Sequence, residues 1–298
     1  MGKTLETLSS EIVAAVEAVG PAVVRVEGRR RTPSSGVVWS ADGLIVASHH
    51  AVDADEEVPV GLSDGRTLPA RVLGRDPGSD LALLGLETAG LVPARWGDGA
   101  AARSGALVLG LSRPGRSLRA RLGAVSVVSG EWRTPSGARL DGYLESDLAL
   151  HSGFSGGLLV GANGAAIGVN TAGLVRGAPL AVPVGDVRRV VDALLAHGRM
   201  RRGYLGIGTQ TIALTPDLRS RAGQGAALIV LSVQTDSPAA RAGLLVGDVL
   251  LRAGEERLTH PAALLPALDE EHVGRDLALS LLRAGEERTL AVVVGERT

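Results

Sequence analysis

From residue 22 to residue 183 the sequence is a succession of short apolar or alternating runs cut by turn residues, and this limits the fold more than any other feature. The runs occupy 22–26, 36–39, 44–48, 58–62, 80–86, 106–111, 124–128, 158–160 and 166–170. Strands this short and this closely spaced predict an all-β barrel or sandwich, because alternating βαβ units would need helical patterns between them. Asp42-Gly43, Asp64-Gly65 and Asn163-Gly164 supply hairpin turns.

A helical period then appears. Val187, Val190, Val191, Leu194 and Leu195 fall on one face, with Gly198 placed to end the helix. Residues 198–203 are polar and glycine-bounded, as a linker should be, and divide the chain into 1–199 and 200–298. Beyond the linker the signature changes. Ser237 is a helix N-cap, Pro238 the first helical residue and Gly243 the terminator. A strand at 248–251, a helix at 261–268 and a hairpin of 277–282 with 289–294 complete a small α+β unit. The two Ala-Gly-Glu-Glu-Arg segments, 253–257 and 284–288, are reused turns and not a repeat architecture.

Composition excludes much chemistry. With no cysteine there is no disulfide framework, thiolate nucleophile or iron–sulfur ligand set. The sole lysine is Lys3, which argues against a P-loop, a Schiff base, a serine–lysine dyad or a kinase. A net charge of −1 and six aromatics give no basis for nucleic-acid binding, and Arg29-Arg30-Arg31 and Arg201-Arg202 read as solvated loops. The first residues lead into a polar amphipathic stretch ending near Ala18, with no apolar leader core, and Glu6 breaks the myristoylation pattern. No run reaches the length of a membrane span. As it stands the sequence reads as cytoplasmic. A chain whose leader had been removed would read the same, so a periplasmic or other extracytoplasmic compartment is the alternative.

The strongest chemical signal is Gly153-Phe154-Ser155-Gly156-Gly157. A serine set among glycines suits a nucleophile on a tight turn, where the amides of Gly153 and Ser155 converge on a developing oxyanion. The bland alternative is a glycine-rich hairpin. The motif also fits the nucleophile elbow of α/β-hydrolases, but that order needs a histidine after the serine, and His197, His260 and His272 lie at a helix end or in the second unit. Before Ser155, a β-rich region offers His50 at the end of one apolar run and Asp80 at the start of another, in the order His, Asp, Ser. Asp53 and Asp55 are alternative acids but lie close to His50 along the chain. A metal reading of His49, His50, Asp53, Asp55 and Glu56 lacks any standard ligand spacing.

These segments resemble the HtrA (DegP-like) family of trypsin-like serine proteases followed by a PDZ domain. The likeness rests on Ser48-His49-His50-Ala51-Val52, the stretch 76–84, Glu145-Ser146-Asp147, 153–160, Gly168-Val169-Asn170-Thr171-Ala172 and Ala181-Val182-Pro183. It implies a mainly β fold: a chymotrypsin-like double β-barrel and a small α+β PDZ domain. It implies His50 as general base, with His49 only a flanking residue, Asp80 as orienting acid, Ser155 as nucleophile, and the Gly153 and Ser155 amides as oxyanion donors. No cofactor and no metal are implied. Phe154 stands where the family usually has Asn, Leu158 where it has Pro, and His151-Ser152 where it often has Asn-Pro. Since the oxyanion donors are backbone groups, none of these changes deletes a participant.

Trypsin-like folds place the floor of the primary specificity pocket six residues before the nucleophile, so the resemblance implies Ala149 there, with Leu150 beside it and Thr171, Ala172 and Gly173 as a neighbouring wall. An acid-free floor predicts cleavage after small or medium aliphatic residues. In the second unit Tyr204, Leu205, Gly206 and Ile207 resemble the carboxylate-binding loop of HtrA-type PDZ domains, which captures peptide C-termini. The implied function is ATP-independent endoproteolysis of unfolded or damaged proteins. The rival is a catalytically impaired PDZ-containing chaperone or scaffold. A homotrimer is the assembly the resemblance implies, although this N-terminal segment lacks the aromatic contacts the family often uses there.

Overall fold

The computed structural model describes residues 2–28, 32–53, 57–99 and 102–297, with the side chains of residues 2 and 3 excepted. The Arg29-Arg30-Arg31 cluster, Asp55 and Glu56 lie outside the described residues. Contacts divide the chain into two compact units, Met1–Met200 and Arg201–Thr298.

The first unit opens with helix α1 (Gly2–Val19), whose Ile12, Ala15 and Val16 pack on the barrel that follows. Six strands, β1 (Val23–Val26), β2 (Ser34–Val38), β3 (Leu44–Ser48), β4 (Glu57–Gly61), β5 (Thr67–Asp76) and β6 (Leu81–Leu86), close in the order β1-β2-β3-β6-β5-β4. Their inward side chains are Val, Leu, Ile and Ala at every position of the core, as a chain poor in aromatics requires. The sharp β2–β3 turn needs Gly43, at φ +108°, because a Cβ there would lie 2.2 Å from the Leu86 carbonyl oxygen.

The second barrel joins β7 (Leu107–Ser112), β8 (Arg119–Ser129), β11 (Tyr143–Ser146), β12 (Leu158–Gly161), β13 (Ala166–Thr171) and β14 (Leu180–Pro183). Its order is β11-β14-β13-β12-β7-β8, with β8 returning to β11, and a two-strand hairpin, β9 (Trp132–Arg133) and β10 (Arg139–Leu140), is inserted between β8 and β11. Helix α2 (Val184–His197) buries Val187, Val190, Val191 and Leu194 and ends at Gly198, whose φ of +70° lets its N–H reach the Leu194 carbonyl. Leu195, expected on the buried face, is 50% exposed. It lies one residue, about 100° of rotation, past Leu194 and so beyond the packed stripe.

The second unit is a sheet ordered β16 (Ile207–Ala213), β17 (Ala226–Val233), β18 (Val249–Ala253), β20 (Asp276–Arg283) and β21 (Glu286–Val293), with β19 (Glu256–Arg257) paired to β18. Short β15 (Gly203–Tyr204) pairs with β22 (Gly295–Glu296). Helix α3 (Pro216–Ala222) follows β16, and α4 (Pro238–Arg241) is capped by Ser237, whose hydroxyl accepts the Ala240 N–H at 3.1 Å. The helix expected at 261–268 is instead two 3-10 turns, Pro261–Leu264 and Pro266–Leu268. Pro266 carries no N–H to donate, and its ring interrupts the run midway.

Candidate active site

The β3 and β6 strands are neighbours in register, Ser48 opposite Leu81, so the residues flanking those two ends meet. His50 lies in the 3-10 turn His49–Ala51 that leaves β3, and Asp80 immediately precedes β6. Asp80 sits at φ +58°, a left-handed conformation that aspartate tolerates better than most residues. The turn before it is closed by Asp76, whose carboxylate accepts the Gly78 N–H at 3.1 Å and the Ser79 N–H at 2.9 Å. The Asp80 carbonyl accepts the His49 N–H at 2.9 Å.

Both oxygens of Asp80 are used. Oδ1 accepts the His50 backbone N–H at 2.9 Å and lies 2.9 Å from His50 Nδ1, while Oδ2 lies 2.7 Å from that nitrogen. Thr171 Oγ1 donates to Oδ2 as well, and itself accepts the Gly173 N–H at 2.9 Å. Burial pushes the Asp80 carboxyl up, but the hydrogen bonds and charge of His50 together with the Thr171 hydroxyl outweigh it and hold the group below its ordinary value. The neighbouring His49 is depressed chiefly by burial, which favours the neutral ring. Gly173 must be glycine: a Cβ there would stand 2.5 Å from His50 Nδ1 and 2.7 Å from Asp80 Oδ2.

Ser155 lies in the β11–β12 connection, 7% exposed. Gly153 adopts φ +92° and Gly156 φ +78°, and a Cβ on Gly156 would be 2.0 Å from the Ser35 carbonyl oxygen. Phe154 O accepts the Gly157 N–H at 2.9 Å and Phe154 N–H donates to His151 O at 3.1 Å, which folds the loop into two consecutive turns. Among the described residues the N–H groups of Gly153 and Ser155 find no acceptor. The Ser155 hydroxyl accepts the Ala172 N–H at 3.2 Å and makes no hydrogen bond to His50. The tripeptide 171–173 therefore touches all three groups: Thr171 binds Asp80, Ala172 binds Ser155 and Gly173 abuts His50. Ala149, Ala172 and Gly173 are exposed, Leu150 is half-buried and Thr171 is buried.

A trypsin-like peptidase domain model matches residues 34–169, and a PDZ domain model matches 203–294. The chain is 31% identical over 275 residues to the probable periplasmic serine endoprotease DegP-like of Halomonas elongata, covering 90% of this chain and 57% of that one. It is 34% identical to the periplasmic serine endoprotease DegP of Escherichia coli, covering 85% of this chain and 55% of that one. A solved structure of the HtrA-type protease AlgW with a tripeptide superposes with a TM-score of 0.73 at 30% identity, covering 95% of this chain and 96% of that one. The chain belongs to the HtrA family. It spans a little over half the length of the curated DegP relatives it matches.

Against the HtrA pattern, the Phe154 side chain is the largest departure, and the protein buries it to 2% exposure with the Arg121 guanidinium 5.6 Å from its ring centroid. Leu158 is fully buried on β12, where the Asn170 amide donates to its carbonyl at 2.9 Å. In the PDZ unit, Leu205 is buried and its carbonyl accepts the Ala239 N–H at 2.9 Å, while the Gly206 carbonyl accepts the Gln234 N–H at 2.8 Å. Among the described residues the N–H groups of Leu205 and Gly206 have no acceptor. Tyr204 hydroxyl meets the Gln234 side chain and stands over Gly206. Ile207 begins β16, which lies at the edge of the sheet and, among the described residues, pairs with β17 alone.

Proposed function

We propose that this chain is an ATP-independent serine endopeptidase that cleaves unfolded or damaged proteins with His50, Asp80 and Ser155, and that its second unit binds peptide C-termini. The observation that carries this is the shared tripeptide 171–173, which gathers an acid-bound imidazole and a glycine-flanked serine around one backbone segment. Asp80 holds Nδ1 of His50 protonated, leaving Nε2 to take the Ser155 proton as its Oγ attacks the scissile carbonyl. That step requires the hydroxyl to exchange the Ala172 N–H for the imidazole, a tightening that commonly accompanies substrate binding. The carbonyl oxygen, now anionic, takes hydrogen bonds from the N–H groups of Gly153 and Ser155. His50 then protonates the leaving amine, and water repeats the sequence on the acyl enzyme.

Ala149, with Leu150 and the 171–173 wall, favours a small or medium aliphatic side chain in the primary pocket. In the second unit the N–H groups of Leu205 and Gly206 receive a terminal carboxylate, and the peptide extends β16 by one strand. We place the boundary between the two activities at residues 199 and 200. The relatives are named periplasmic, which supports an extracytoplasmic location. No helix among the described residues is long and apolar enough to cross a membrane.

The test is labelling with a fluorophosphonate followed by casein digestion. Labelling and cleavage are both expected, and Ser155→Ala should abolish both, since removal of a triad serine costs about 10⁶-fold in kcat in the template enzymes. An unlabelled wild-type protein that leaves casein intact would instead support a PDZ-bearing binding protein.

A further inference from the structure

Strand β2 enters the nucleophile loop through two adjacent serines, and both are buried. Ser35 Oγ donates to the Gly153 carbonyl at 2.7 Å, and Ser35 N–H donates to the Ser155 carbonyl at 3.1 Å. Ser34 Oγ donates to that same Ser155 carbonyl at 2.6 Å. The two residues gripped by their carbonyls are thus the two whose N–H groups remain without an acceptor. Each gripped carbonyl is one Cα away from the N–H of the same residue, so anchoring the two carbonyls narrows the backbone rotations that could turn those N–H groups aside, and Gly153 holds φ at +92°.

The Ser35 hydroxyl is itself oriented. It accepts the Arg113 N–H at 2.8 Å, so its own hydrogen is free to point at Gly153 O. Arg113 cannot drift, because its guanidinium is buried and donates to Val23 O at 2.7 Å, Gly20 O at 3.0 Å and Arg116 O at 3.0 Å. Pro114 presses on the same loop from β7's exit: a Cβ on Gly153 would lie 2.4 Å from Pro114 Cβ.

We propose that Ser35 is a positioning residue for the oxyanion hole, which it sets through the Gly153 and Ser155 carbonyls without touching substrate. The inference rests on the proteolytic reading above. An oxyanion exists in the transition state and not in the bound substrate, so loosening its donors should lower kcat and leave KM nearly unchanged. A merely structural serine would lower thermal stability without that split.

The experiment uses the full chain and begins with the wild type: absence of fluorophosphonate labelling and peptide cleavage would overturn the proteolytic reading and this proposal with it, whereas an active wild type leaves the Ser35 variants to decide this proposal alone. Ser35→Ala is then compared for kcat, KM and affinity for a peptide boronic acid, whose tetrahedral adduct places an oxygen in the hole. The expected result is a fall in kcat of about tenfold to a hundredfold, KM within about twofold, and a parallel loss of boronate affinity, smaller than the about 10²- to 10³-fold cost of deleting an oxyanion donor outright. Ser34→Ala, which leaves the Ser155 carbonyl its Ser35 N–H, should lose less. Should the Ala variant fail to fold, Ser35→Cys keeps the shape with a weaker donor and is expected to lower kcat in the same sense. Wild-type kcat and boronate affinity in a folded Ser35 variant would overturn the proposal.

Discussion

The two halves of the site are held in different ways. The His50–Asp80 half comes from adjoining strands of the first barrel and is finished: register brings the residues together, and four contacts fix the carboxylate. The Ser155 half comes from a loop of the second barrel, and its backbone is gripped by β2 while its hydroxyl rests on Ala172. His50 and Asp80 are thus joined by strand pairing, whereas the Ser155 hydroxyl makes no hydrogen bond to the imidazole. Economy of sequence follows from this, because a paired register fixes geometry that a loop must fix bond by bond.

The comparison breaks hardest at Asp80. Asp80→Asn should lower kcat by about 10⁴-fold, as expected when the residue that sets the histidine tautomer is lost. Asparagine also accepts the φ of +58° at this position, so the fold should survive, which circular dichroism and a thermal melt would check. A loss under tenfold would move the orienting role elsewhere.

Thr171→Val sharpens the comparison at the seam between the halves. It removes one hydrogen bond to a charged group, worth about 1.5–3 kcal/mol, and should lower kcat by about tenfold to a hundredfold while Ser155 still labels. It should also change acid stability. The folded carboxyl is held below its ordinary value, so Asp80 stabilises the fold above the unfolded value, and that contribution is lost as pH falls through the folded one. Without the Thr171 donor the folded value rises, and the midpoint of acid unfolding should move to higher pH.

The smallest effect is expected on the far side of the nucleophile loop. Arg121→Leu removes the cation from the Phe154 ring but keeps apolar cover, at a cost of about 1 kcal/mol. For a unit of this size that is about 2–4 °C in Tm, readable by calorimetry. A larger drop in activity than in stability would mean the cation also steadies the oxyanion donors.

Much of this was legible in the sequence where local chemistry decides it. The turns at Gly43, Gly65 and Gly164, the Gly198 helix end and the Ser237 cap follow from glycine's access to positive φ and from hydroxyl capping, and the structure has each of them. The meeting of His50 and Asp80 was readable because each borders an apolar run, and Ser155 stood out through its flanking glycines. The run 261–268 breaks into two 3-10 turns because Pro266 has no N–H to donate, and the buried stripe of α2 stops at Leu194, one residue short of Leu195. The support that Thr171 gives Asp80 was out of reach: it spans 91 residues and two barrels, and no local pattern announces it. The same holds for Ser35, whose partner Gly153 lies 118 residues away.

The bare Cα at Gly173 gives the molecule a built-in place for a wedge. Any side chain installed there pushes on the imidazole and the carboxylate at once. A Gly173→Ala chain would strike the imidazole and the carboxylate directly, and the Ser155 hydroxyl only through the neighbouring Ala172 N–H.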